Sequence, residues 1–189
     1  NRNLDNGLDE QDGNPPCTVP DVLGDTAIFV EGALAWDAAA LDANGALLVF
    51  ALQGPPVRGV VMLQWAFGLE VGDRLWERDP QEGTFDGPDD ADLAALMIGI
   101  GPRPDPRRIE GAIALMLELT SRTEDANRPP LLCMLAWLNW ALGHGTQAGL
   151  HLDEALAIAP TYSMARLLES MMCTGVMPEW AFERAAPPK

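Results

Sequence analysis

The chain has 189 residues, of which 28 are acidic and 12 basic, so its formal net charge is −16. Nucleic acids and anionic membrane surfaces are bound through clustered Lys and Arg, and this balance therefore argues against both as partners. A hydrophobic share of 48%, with Ala, Leu and Met outweighing β-branched and aromatic residues, indicates a globular and mainly helical protein.

Composition divides the chain into a tail and a body. Residues 1–26 are rich in Asn, Gly and Pro and contain six acidic side chains, which predicts a flexible tail that cannot support a core. We expect residues 27–189 to form a single helical domain interrupted by an acidic loop at 80–92. Since the chain begins with Asn1 and not with methionine, we expect a fragment or a processed product.

Apolar runs between Gly and Pro residues predict the first helices of the body. They are expected at residues 32–43, 47–53, 57–65 and 70–77. The run Leu47–Phe50 is also compatible with a strand, because short apolar runs do not distinguish the two structures.

Acidic residues predict where the next two helices begin. Asp89–Asp92 precede the apolar run 93–98 and are expected to cap the helix that it forms. The alternative interpretation is a metal site, but no partner His or Glu stands at a fixed spacing from these residues. Asp105-Pro106 is a clearer start signal. A stripe then follows at helical spacing and is expected to face the core: Ile109, Ile113, Met116, Leu117 and Thr120.

The last third predicts three packed helices. Residues 131–142 are apolar on all sides and should form the most buried helix. After the turn Gly143-His144-Gly145 comes a partner helix with Ala148, Leu152, Ala155 and Ala159 on one face, and a third helix is expected at Ser163–Thr174. The spacing of small residues, followed by a terminating proline, is typical of a tetratricopeptide-like pair of antiparallel helices; the residues concerned are Ala136, Gly143, Ala148, Ala155-Leu156 and Pro160. The pattern departs from that repeat at the usual aromatic positions, which Leu132 and Asn139 occupy.

The same region resembles a known family. The segments that carry the likeness are Arg128–Trp137, Trp140–Gly143, Ala155–Ala157, Pro160–Leu168 and Pro178–Trp180. Over residues 105–182 they are similar to the C-terminal part of the actinobacterial domain-of-unknown-function family 4192. The resemblance implies a helical fold and no activity. It also implies an α/β portion upstream, which we expect this chain to lack or to retain only in part.

The sequence contains no recognisable catalytic or ligand-binding motif. Cys17, Cys133 and Cys173 are irregularly spaced, which predicts free thiols in a reducing cytoplasm, with Cys133 and Cys173 buried in apolar helices. His144 and His151 lack the companions of a metal site. We therefore predict no catalytic residue, no metal and no cofactor.

Two functional hypotheses follow. The favoured one is a non-enzymatic, all-α protein–protein interaction module that binds a basic or extended peptide, or a second copy of itself, with Trp140, Trp180 and Arg166 as the expected interaction surface. The alternative is a small-molecule-binding or enzymatic domain with a pocket between helices, which would use Arg166, Arg107 or Arg108 with nearby carboxylates.

Overall fold

All regular secondary structure in the described part of the chain is helical. The computed structural model describes residues 25–76 and 88–182, the side chains of residues 88–91 excepted. Within these ranges the chain forms α1 (Thr26–Ala33), α2 (Ala38–Ala51), α3 (Pro55–Phe67), α4 (Leu69–Trp76), α5 (Pro88–Met97), α6 (Pro106–Ser121), α7 (Arg128–Ala141), α8 (Gly145–Ile158) and α9 (Ser163–Cys173), with 3-10 turns at Asp125–Asn127 and Glu179–Phe182. The all-α prediction is confirmed. Residues 1–24 of the expected tail (1–26) and residues 80–87 of the expected acidic loop (80–92) lie outside the described residues. The described ends of both segments differ from the prediction, because Asp25 caps α1, Thr26 begins it, and residues 88–92 belong to α5.

The first helical boundary differs from the prediction. The expected break after residue 43 is absent, and α2 continues without interruption through Leu47–Phe50. The chain turns earlier, between α1 and α2. There Asp37 caps α2, because its side chain accepts a hydrogen bond from the N–H of Ala40 at 2.8 Å. Gly45, which suggested a joint, is buried inside α2, and a Cβ there would lie 3.2 Å from Leu119 Cδ2. This glycine therefore serves close helix packing and does not end a helix.

The start of α5 also differs from the prediction. This helix begins at Pro88, so Asp89–Asp92 lie within its first turns and not ahead of them. Proline is favoured at the first helical position because the N–H that it lacks has no intrahelical partner there. The acids remain at the helix end where negative charge is favourable.

The start of α6 is as predicted, but its buried face is partly different. Asp105 accepts the N–H of Arg107 at 2.9 Å, and Pro106 opens the helix. Of the predicted stripe, Leu117 is 48% exposed and Ile113 only half-buried. The residues that face the core are Ile109, Ala112, Met116, Leu119 and Thr120. This correction arises because residues 112 and 119 complete the face on which 109 and 116 lie, whereas 117 is one step around the helix.

Helix α7 is the centre of the molecule. Every residue from Pro129 to Ala141 is buried, which confirms the prediction of a central helix. A short turn, with Gly143 at a φ of 84°, joins α7 to α8, and the two helices form the most extensive helix–helix contact in the described structure. Ala148, Leu152 and Ala155 face this contact, whereas Ala159 falls just beyond the end of α8. The likeness to a tetratricopeptide repeat stays a prediction.

Helices α3, α6 and α9 complete the shell around α7. Helix α9 ends one residue before the predicted boundary and buries Ala165 and Leu168. No helix in the described ranges combines the length and apolar character that crossing a bilayer requires.

Candidate functional site

Trp140 and Trp180 hold the C-terminal segment against the core. The indole N–H of Trp140 donates to the Val176 carbonyl and that of Trp180 to the Ala141 carbonyl, each at 2.9 Å. Their rings pack edge to face with centroids 6.5 Å apart, and both residues are almost fully buried. Both indoles fill the core and donate to backbone carbonyls, so their N–H groups are not free to bind a partner. That Trp140, Trp180 and Arg166 form an interaction surface stays a prediction.

A groove lies beside the buried Trp180. It has a volume of about 280 Å³ and is lined by Arg103, Pro104 and Pro106 from the start of α6, Ala141–Gly143 from the end of α7, and Met177 and Trp180–Phe182 from the C-terminal segment. Phe182 is 80% exposed, the most exposed large hydrophobic side chain in the described structure. We call this feature the Phe182 groove.

Two backbone contacts fix one wall of the Phe182 groove. The N–H of Glu179 donates to the Gly99 carbonyl at 2.8 Å, which ties the C-terminal segment to the loop between α5 and α6. Gly99 has a φ of 85°, and a Cβ there would lie 2.7 Å from Pro178 Cα. A residue with a side chain would therefore separate these two segments. The sequence reasoning noted the Pro178-Glu179-Trp180 segment but missed both Gly99 and Phe182.

A second polar feature lies where α3, α7 and α9 meet. Arg58, in the first turns of α3, is only 5% exposed, and its Nη1 donates to the hydroxyl of Tyr162, which precedes α9. The guanidinium carbon lies 5.7 Å from the centre of the tyrosine ring. Its Nε is buried and has no hydrogen-bond partner. The sequence patterns described above assign no role to Arg58.

Two groups near Arg58, the thiol of Cys133 and the phenol of Tyr162, are electrically neutral at pH 7. Burial raises the pKa of the Cys133 thiol to about 12, although the Arg58 charge opposes this. Burial also raises the pKa of Tyr162, again against the effect of Arg58. No carboxylate in the described ranges forms an ion pair with Arg58. The positive charge of Arg58 is therefore not neutralised by its described neighbours.

The arginines proposed for an inter-helix pocket have separate roles. Arg108 forms a two-pronged ion pair with Glu31 at 2.7 and 2.8 Å and donates to the carbonyls of Trp65 and Gln64. The hydrogen bond from Arg108 holds the pKa of Glu31 below its usual range. Arg166 is exposed, donating to Pro160 at 3.0 Å and to Glu169 at 3.1 Å, and Arg107 is exposed on α6. Arg108 thus joins α1, α3 and α6, and its donors are directed at protein groups.

The histidines and cysteines do not add a site. His144 is exposed at the turn before α8, and His151 is half-buried with a pKa lowered by burial. Cys133 is buried as expected, but Cys173 is exposed because the end of α9 turns it toward solvent, which corrects its predicted burial. In the part of the chain with described side chains, no group of three or more His, Cys, Asp or Glu residues could hold a metal ion.

Comparison with known proteins identifies the C-terminal region. Residues 106–179 match the model of the family described as Domain of unknown function (DUF4192). The match begins at α6 and extends to the first residue of the last 3-10 turn, within the region of residues 105–182 that carried the resemblance. No curated protein and no solved structure matches the chain. The chain is therefore similar to the DUF4192 family over residues 106–179, which is less than half of its length.

Proposed function

We propose that this chain is a non-enzymatic interaction module that binds an extended peptide through the Phe182 groove. The observation that carries the proposal is the 80% exposure of Phe182 beside a groove whose other walls are fixed by the core. An aromatic side chain exposed to this degree costs free energy in water, and covering it would recover part of that cost.

The size of the groove favours a single side chain of a partner. Its volume of about 280 Å³ lies just below the range of roughly 300–1,000 Å³ that is usual for small-molecule pockets. Pro104, Pro106 and Leu142 form apolar walls suited to a large aliphatic or aromatic side chain. The expected anchor is therefore one apolar residue of a peptide, which would also cover Phe182.

Charge favours basic residues on either side of that anchor. The chain carries a net charge of −16, so its surface attracts positively charged partners over a distance. Asp105 and Glu179 are exposed and lie next in sequence to groove residues. A peptide with one large apolar side chain flanked by Lys or Arg is therefore the partner of the proposed class.

The test is selection of peptides from a random phage-displayed library on the full chain, followed by calorimetric titration. We expect selected peptides to share an apolar anchor with basic neighbours, and to bind Phe182→Ser at least about tenfold more weakly, as loss of one apolar anchor predicts. Leu167→Ser is the matched control, because Leu167 is 70% exposed on α9 and outside the groove. Equal loss in both variants would contradict the proposal.

The same two variants also test whether the chain associates with itself through the groove. If a second copy of the chain fills the groove, sedimentation velocity of the wild type will show a dimer that Phe182→Ser abolishes and Leu167→Ser retains. A monomer at every concentration leaves the peptide as the proposed occupant.

A further inference from the structure

We propose that Met177 is a reversible oxidation site that controls the Phe182 groove. A peroxide converts its thioether to a sulfoxide, whose oxygen then accepts hydrogen bonds at the start of α8 and weakens the binding of an apolar anchor. The effect on binding rests on the peptide function proposed above, whereas the place of oxidation does not.

Met177 differs from the other methionines in its surroundings. The chain has eight methionines, and all of them lie in the described ranges. Met177 is half-buried and lines the open Phe182 groove. Oxidation follows accessibility, so Met177 is the methionine on which a small oxidant should act first. The other seven belong to the hydrophobic core or pack against it: Met62, Met97, Met116, Met134, Met164, Met171 and Met172.

Two glycines leave room beside the Met177 thioether. A Cβ at Gly143 would lie 3.6 Å from its terminal methyl carbon, and a Cβ at Gly145 would lie 3.9 Å from its sulfur. Because neither position carries a side chain, the thioether is not covered by one there. The adjoining groove has a volume of about 280 Å³. A water molecule in the liquid takes roughly 30 Å³, so the groove admits a peroxide and holds the added oxygen.

The start of α8 supplies donors for that oxygen. The first N–H groups of a helix have no partner inside it. Helix α8 begins at Gly145, the side chain of His144 does not cap it, and within the described ranges the N–H groups of residues 145–147 form no hydrogen bond. A sulfoxide oxygen carries partial negative charge, which is favoured at a helix start. Oxidised Met177 therefore provides the cap that α8 lacks.

The reaction is the transfer of one oxygen atom. The sulfur lone pair attacks one oxygen of hydrogen peroxide, the O–O bond breaks, and the departing hydroxide takes the remaining proton to form water. The thioether is oxidised and the peroxide is reduced. Methionine sulfoxide reductases reverse the change, since two thiols become a disulfide and the oxygen leaves as water.

Oxidation changes the wall of the groove that Met177 forms. It converts a flexible apolar side chain into a polar one. An apolar anchor of a peptide must then remove the S–O group from water, which costs free energy. The hydrogen bonds to α8 also hold the side chain toward the turn before that helix, so that it adapts less well to the anchor.

The first measurement locates the oxidation. The full chain carries Cys17→Ser and Cys173→Ser, so that oxidation of these thiols does not interfere. It is treated with hydrogen peroxide, and mass spectrometry of its proteolytic fragments follows each methionine over time. We expect Met177 to be oxidised several-fold faster than Met164 and Met171. Equal rates at the three positions would overturn the proposed site.

The second measurement tests the contact with α8. In ¹H–¹⁵N spectra the backbone amide signals of residues 145–147 should move when the chain is oxidised. They should not move in Met177→Leu or in Met177→Ile, two variants that guard against the misfolding of either one. Signals of residues 145–147 that stay in place while Met177 is fully oxidised would overturn the proposed cap.

The third measurement tests control of the groove, by calorimetric titration of a peptide selected as described above. Oxidation should weaken binding by about fivefold or more, and reductases A and B with dithiothreitol should restore it. Peroxide should not change the affinity of Met177→Leu, whatever its starting value. Met164→Leu, which lies outside the groove, should keep the loss.

The results separate control of the groove from peptide binding itself. An affinity that survives complete oxidation of Met177 would overturn the proposed control and leave the peptide function standing. If no peptide binds the unoxidised chain, the peptide function and its control both fail. The first two measurements decide the oxidation site in either case.

Discussion

Gly72 of α4 lies directly against the side chain of Gln64 of α3, so that a Cβ at position 72 would stand 2.6 Å from Gln64 Cγ. Gln64 cannot move away freely, because its Nε2 donates to the Ala27 carbonyl at 2.7 Å and its Oε1 accepts from the Trp76 indole at 2.9 Å. The contact joins α1, α3 and α4 through one buried amide.

Replacing Gly72 with alanine should destabilise the protein by about 1–3 kcal/mol, because the added methyl must displace a hydrogen-bonded buried side chain. Chemical denaturation monitored by circular dichroism measures the effect. Gly111→Ala is the matched control, since a Cβ at that helical position meets nothing within 4 Å. The control should leave the free energy of unfolding unchanged or raise it by up to about 1 kcal/mol. If both variants changed the free energy of unfolding in the same direction, the account would be contradicted.

The ion pair of Glu31 with Arg108 should make stability depend on pH. The hydrogen bond from Arg108 lowers the folded-state pKa of Glu31 below its ordinary value of 4.5, so the pair's contribution is present above pH 4.5 and is lost as pH falls through the folded pKa. Glu31→Gln should cost about 1–2 kcal/mol at neutral pH, and this difference from the wild type should shrink in acid.

The control for this prediction is Glu118→Gln, because Glu118 pairs with Arg122 on the exposed surface. Its effect on the free energy of unfolding should stay within about 0.5 kcal/mol. A Glu31→Gln penalty that stays constant from pH 7 to below pH 4 would contradict the assigned shift.

The two described cysteines should react at very different rates. Burial raises the pKa of Cys133 to about 12, so it stays a protonated and inaccessible thiol at pH 8, whereas Cys173 is exposed. In a Cys17→Ser background, Ellman's reagent should label one thiol of the native protein and two after denaturation. Rapid labelling of two thiols without denaturant would show that the contact between α3 and α7 opens readily.

Substitutions at Trp180 and at Phe182 should differ in their effect on the free energy of unfolding. Trp180→Phe removes the hydrogen bond to the buried Ala141 carbonyl and should lower the free energy of unfolding by about 1–3 kcal/mol. Phe182→Ser changes a side chain that is 80% exposed and should stay within about 0.5 kcal/mol of the wild type. Thermal and chemical denaturation of both variants provide the measurement, and a large loss in Phe182→Ser would mean that Phe182 belongs to the core.

The C-terminal helices were predictable because their signals are local. Proline and glycine residues bound the apolar runs that became α7 and α8, and the start of α9 was placed at Ser163. A break was wrongly predicted inside α2, because Gly45 resembles a helix end in the sequence, whereas its role depends on contact with Leu119, which is distant in sequence.

The candidate sites were not predictable for a related reason. Arg58 and Tyr162 are separated by 104 positions, and no periodic pattern connects them. Trp140 and Trp180 were expected at a surface because their indoles need partners, but backbone carbonyls provide those partners inside the core. The exposure of Phe182 likewise depends on how the C-terminal segment packs against the Gly99 loop.

The central claim is that the Phe182 groove binds a peptide, and chemical-shift mapping tests it most directly. Backbone ¹H–¹⁵N spectra of the full chain would be recorded while a selected peptide is added. We expect the largest changes at the non-proline residues of 103–106, 141–143 and 177–182, which line or adjoin the groove. Changes that are absent, or that centre on other helices and persist in Phe182→Ser, would contradict it.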